Sequence, residues 1–165
     1  MKVLVTGGAG FIGSHLVEHF QGKAEVVVLD NLRSGFRKNL QGMDLQFIEG
    51  SVTDRDVVRQ AVRGVDFVFH LAAMISVPES MANPTECVDI NTQGTLILLQ
   101  ESANAGVKKL CLSSSAAIYG DNPTLPKAED MRPEPKSPYA VTKLDGEYYC
   151  CMFSENKWLQ TACMR

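Results

Sequence analysis

The chain has 165 residues, 45% of them hydrophobic and 21% charged, with a formal net charge of −3. That balance suits one ordinary globular domain with a full core over residues 1–165. It excludes a basic footprint for nucleic acid or an anionic membrane, and no apolar run approaches the ~20 residues of a membrane-spanning helix. Cysteines 87, 111, 150, 151 and 163 lack C-x-x-C spacing and sit mostly in apolar segments. Reduced thiols in a cytoplasmic protein are therefore expected, and no signal-peptide pattern precedes the first strand. The histidines show no metal-ligand spacing, so no metal site is expected.

Val3, Leu4 and Val5 form a short β-prone run, glycines follow at 7, 8, 10 and 13, and Ile12, Leu16, Val17 and Phe20 recur at helical spacing. Strand, glycine turn and helix in that order open a dinucleotide-binding βαβ unit. Gly7 lets the chain turn sharply out of the strand. Gly10 lets the backbone approach a pyrophosphate, and Gly13 lets the helix pack closely on the strand. The first helical turn, at Phe11, Ile12 and Gly13, then aims unpaired N–H groups and a positive dipole end at the phosphates. The spacing is G-x-x-G-x-x-G, one residue longer than G-x-G-x-x-G.

That helix is expected to end near Gly22. Residues 25–29 make a second strand ending at Asp30, where a carboxylate suits the adenosine ribose hydroxyls of NAD and repels the extra phosphate of NADP. Asn31, Ser34 and Gly35 form a loop able to wrap the adenosine half. Residues 44–49 alternate like a third strand, with Ser51 and Val52 beyond its C-terminal end, where open α/β sheets hold ligands. Asp54 caps a helix carrying Val57, Val58, Ala61 and Val62, which Gly64 stops. A fourth strand over 65–71 ends at Leu71 and leads into Ala72 and Ala73, small enough for a flat cofactor to lie against them. One long helix spans 84–105, with Asn91 and Gly94 as unusual interior residues, and a fifth strand spans 107–113. Prolines make residues 120–138 a loop. Ser137 caps the next helix and Pro138 opens it. Residues 161–165 open a sixth strand, the last of an NAD-binding Rossmann unit read over residues 1–165, and stopping inside it is expected of a fragment. Alternating strands and helices predict a doubly wound parallel sheet covered on both faces.

Tyr139-Ala-Val-Thr-Lys143 puts a phenol and an ammonium on one helix face, at i and i+4. A nearby ammonium favours phenolate by charge, which suits a general base. The serines of Ser113-Ser-Ser-Ala-Ala-Ile-Tyr-Gly120 lie at the end of the fifth strand, where a hydroxyl can bond a substrate oxygen.

Together TGGAGFIGSH, DNLRSG, HLAAMISVPES, NTQGT, SSSAAIYG and YAVTK resemble the extended short-chain dehydrogenase/reductase superfamily, in particular its nucleotide-sugar 4-epimerases. The resemblance implies Tyr139 as general base, Lys143 as its activator and ribose ligand, and Ser115 as the hydroxyl polarising the substrate. It implies NAD as cofactor, with Asn31, Ala72 and Asn91 near it or supporting the site. The substrate implied is a UDP-sugar oxidised and re-reduced at C4. UDP-N-acetylhexosamine, UDP-uronate and a non-catalytic NAD-binding unit are the alternatives. A homodimer through the helices near 84–105 and 138–155 is also implied. The chain departs from the pattern at Ser51, where many members carry Asp beside the adenine, and at Ile75, where some epimerases carry Lys. Ala116 and Ala117 stand where dehydratases of this superfamily carry a carboxyl, which removes the acid and base for water elimination.

Overall fold

A computed structural model describes residues 1–165. Six strands form one parallel sheet: β1 (Lys2–Thr6), β2 (Glu25–Asp30), β3 (Gln46–Glu49), β4 (Phe67–His70), β5 (Lys109–Ser113) and β6 (Gln160–Met164), in the order β3-β2-β1-β4-β5-β6. The helices are α1 (Phe11–Phe20), α2 (Arg55–Ala61), α3 (Val77–Ala82), α4 (Pro84–Val88), α5 (Gly94–Asn104) and α6 (Pro138–Glu155). Short 3-10 turns cover Arg37–Leu40 and Ala116–Tyr119. The chain order reverses at β1, so the crevice between the ends of β1 and β4 is the switch point where such sheets bind ligands.

The apolar strands are buried on both faces. One core joins Leu4, Leu29, Val68 and Leu110 with α2, α5 and α6, while the other joins Val3, Val5, Val26 and Val28 with Val17 of α1. Asp54 caps α2 by accepting from the N–H groups of Asp56 and Val57, and Ser137 caps α6 by accepting from Ala140 N–H. Gly64 follows α2 with φ +67°, a left-handed conformation that glycine adopts without strain. The third, fourth and fifth strands begin two residues later than hydrophobicity alone predicts.

Two features differ from the sequence reading. First, α3 is an additional helix. Ser76 accepts from Glu79 N–H and Pro78 sits in the first turn, so the Ser-Val-Pro-Glu signature of a capping box was present, over a helix too short to show periodicity. Second, the helix expected over 84–105 is one rod whose middle, Asp89–Gln93, widens into a π turn. Such turns recur at functional sites. Asn91 lies inside this one, buried. Gly94 follows because a Cβ there would stand 2.7 Å from a Val52 methyl. No helix is long and apolar enough to cross a membrane.

Candidate active site

At Gly7 and Gly13 the glycine turn leaves no room for a side chain. Gly7 has φ +71°, and a Cβ on it would lie 2.7 Å from Ala72 N. A Cβ on Gly13 would lie 2.2 Å from the carbonyl oxygen of Gly7, so α1 packs on the turn backbone to backbone. Gly10 caps α1 with no side-chain bond, leaving the first-turn N–H groups free of side-chain partners. They face a cleft of about 380 Å³, within the range of small-molecule and cofactor sites. Phe11, Ile12 and Ile75 line it although 60–79% exposed, an apolar rim suited to a flat ligand.

At one end of the cleft, buried Asp30 accepts from Ala9 N–H (2.9 Å) and from Leu32 N–H (2.7 Å), which fixes its carboxylate at the tip of β2. Asn31, Ser34, Gly35, Ser51 and Val52 line the same end. Ser51 Oγ lies 2.8 Å from Thr53 Oγ1 in a local turn. At the other end are Leu71, Ala72, Ala73, Ser113, Tyr139 and Lys143.

Lys143 is buried and donates to Ser113 O at 2.8 Å, with Nζ 5.8 Å from the centroid of the Tyr139 ring. Burial pushes the Lys143 ammonium down to about 8, opposed by the nearby Cys87. It stays protonated at neutral pH beside the phenol. This pair is the charge arrangement expected of a base and its activator.

Beneath the cleft, two polar networks hold its floor. His70, at the end of β4, is pushed down to about 3 by burial and by the charge of Lys143, so its ring is neutral at physiological pH. Thr95 donates to Asn91 O at 2.5 Å, so its oxygen is left to accept from His70 Nε2–H at 2.9 Å. His70 Nδ1 then accepts from the Thr6 hydroxyl (2.7 Å), whose oxygen accepts from Ala72 N–H (3.3 Å). Asn91 Oδ1 accepts from Met74 N–H (2.8 Å), while its Nδ2 donates to Met74 O (3.1 Å) and to Thr142 Oγ1 (3.0 Å). The π turn thus ties the wall after β4 to the helix carrying Tyr139 and Lys143.

All the sequence-predicted cofactor and catalytic positions line the cleft except Asn91 and Ser115. Asn91 supports the wall from behind. Ser115 Oγ accepts from Ala117 N–H at 3.1 Å and caps the turn Ala116–Tyr119, which leaves its proton free to donate. Leu29, Arg33, Gly50, Ile90 and Ser114 also line the cleft. Ser114 donates to Glu147, whose carboxylate pairs with Arg165, and Arg165 in turn donates to the Tyr119 hydroxyl at 2.8 Å. Arg33 had no signal in the sequence because its partners, Glu79 and Glu86, lie 46 and 53 residues away.

A family model described as the NAD dependent epimerase/dehydratase family matches residues 3–165. The chain belongs to this family. Among curated epimerases, a UDP-glucose 4-epimerase of Neisseria meningitidis serogroup C is 41% identical over 152 residues, covering 86% of this chain and 45% of that protein. Two solved epimerase structures superpose closely. The UDP-glucose 4-epimerase of Thermus thermophilus, in complex with NAD, has a TM-score of 0.92 and 40% identity over 100% of this chain and 54% of its own. The UDP-N-acetylglucosamine 4-epimerase of Methanobrevibacter ruminantium, in complex with UDP-N-acetylmuramic acid, has 0.94 and 39% over 99% and 54%. The chain thus spans about half the length of the epimerases it matches.

Proposed function

We propose that the protein is an NAD-dependent 4-epimerase of UDP-sugars, of the UDP-glucose/UDP-galactose type. The observation that carries the proposal is the pairing of buried Lys143 with Tyr139 at the end of a cleft whose glycine floor admits no Cβ. The cleft fits the dinucleotide. The uncapped start of α1 would hold the pyrophosphate and Asp30 the adenosine ribose, and Ala72 and Ala73 would leave a flat surface for the nicotinamide end. NAD held there would supply reversible hydride acceptance for the sugar C4.

Tyr139 removes the proton of the C4 hydroxyl as C4 is oxidised, and gives it back after the keto sugar has turned over. Lys143 holds the phenolate by charge and would also hold the nicotinamide ribose. Ser115 donates its free hydroxyl proton to the substrate oxygen. Ala116 and Ala117 offer no carboxyl for elimination, which favours epimerisation over dehydration. The similarity to a UDP-N-acetylglucosamine 4-epimerase supports UDP-N-acetylhexosamines as the second substrate class. Exposed Val88, Val141, Tyr148 and Met152 on α4 and α6 support a homodimer through these helices. Cytoplasmic work on nucleotide sugars fits free cysteines throughout.

The test is incubation of the full-length protein with UDP-galactose and no added cofactor, read as UDP-glucose formed; residues 1–165 alone are expected to be weakly active or inactive. Tyr139→Phe should abolish turnover and leave NAD binding nearly intact. If UDP-galactose, UDP-N-acetylhexosamines and UDP-uronates all stay unchanged, the epimerase reading fails. If Tyr139→Phe also loses NAD, the tyrosine is structural.

A further inference from the structure

Arg33 lines the cleft, yet both ends of its guanidinium fork are engaged outside the lining. Nη2 donates to Glu79 Oε1 at 2.7 Å and Nη1 to Glu86 Oε1 at 2.5 Å. Arg33 rises from the loop after β2, whereas Glu79 and Glu86 belong to α3 and α4, which follow β4. In the sheet β2 and β4 flank β1, and the glycine turn follows β1. The bridge therefore joins segments that follow the two strands flanking the phosphate-binding turn, with Arg33 itself in the cleft wall. The side chains of all three are between a third and a half exposed, so the pairs add little to fold stability and respond to salt.

We propose that Arg33, tied to Glu79 and Glu86, is a latch that slows release of the bound dinucleotide. The inference rests on the NAD reading above. A carboxylate holds each Nη group, so the guanidinium spans the mouth instead of gripping a phosphate, and a dinucleotide leaves only when both pairs open. An enzyme that regenerates its cofactor within each turnover gains from such retention.

The experiment is stopped-flow displacement of NADH by excess NAD, followed by NADH fluorescence, on the protein and on Arg33→Gln, Glu79→Gln/Glu86→Gln and the triple variant. Arg33→Gln and the double variant should each speed release by about threefold to tenfold, as loss of exposed ion pairs allows. The triple variant should be no faster, because all three residues act as one unit. Added salt should speed release from the unaltered protein more than from any variant. Additive effects, unchanged release, or equal salt dependence in all four proteins would overturn the latch. Slower release from Glu79→Gln/Glu86→Gln would overturn it too, since the freed Arg33 would then be binding phosphate. Equilibrium dialysis with NADH separates the two readings: no binding by the unaltered protein defeats the cofactor assignment itself.

Discussion

Acidification should weaken this fold through one residue. His70 is the only buried histidine, since His15 and His19 are exposed on α1. Its folded value of about 3 lies well below the ordinary 6.5, chiefly through burial. Below pH 6.5 the unfolded chain takes up a proton that the folded chain refuses until about pH 3, so the unfolded state gains. The stability is intact above pH 6.5 and is lost as the pH falls towards 3. At about 1.4 kcal/mol per proton per pH unit, the whole window amounts to about 5 kcal/mol, and the step from pH 6.5 to 5 to about 2 kcal/mol. The upper step is the diagnostic one, because carboxylates contribute mainly below it. Urea unfolding at pH 6.5, 6.0, 5.5 and 5.0 measures the slope, and His70→Gln should flatten it whatever its baseline stability. NMR should find the native His70 ring neutral at pH 5, in the Nε2–H tautomer. A native midpoint near 6.5, or equal slopes in the two proteins, refutes the reasoning.

Gly13→Ala puts a methyl 2.2 Å from Gly7 O and 2.7 Å from Gly8 Cα, both backbone atoms that cannot rotate away. It should cost about 1–3 kcal/mol of stability, seen as a drop of several degrees in Tm, and weaken NADH binding in a titration. Asn91→Leu leaves Met74 N–H and C=O without partners in a buried wall, for a loss of about 2–5 kcal/mol in urea unfolding. An Asn91→Leu protein as stable as the parent would show that the π turn is not held by this side chain.

Much of the architecture was legible because local signals agree with the global fold. The strand–glycine–helix opening, the Asp54 and Ser137 caps, and Pro138 each carry their reason within a few residues. So does the Tyr139–Lys143 spacing. What escaped depends on distant partners. Asn91 looked out of place in a helix because its bonds go to Met74 and Thr142, 17 and 51 residues away. Ser115 could be assigned to the fifth strand's end, but the direction of its hydroxyl is set by the turn that follows. The two networks that hold the cleft floor, through His70 and through Asn91, are likewise assembled by topology.

The parallel sheet also dictates when the site can exist. The central strand β1 is made first, yet it pairs with Glu25–Leu29 on one side and with Phe67–His70 on the other. Long-range parallel pairing of this kind is slow to form, since loop closure must precede the contacts that reward it. The first wall of the crevice is Gly7 and the last is Lys143. A nascent chain can therefore shape the adenosine end once β2 and β3 have docked. The reactive end waits until α6 has been synthesised and packed, so the site matures along the chain from cofactor grip to chemistry.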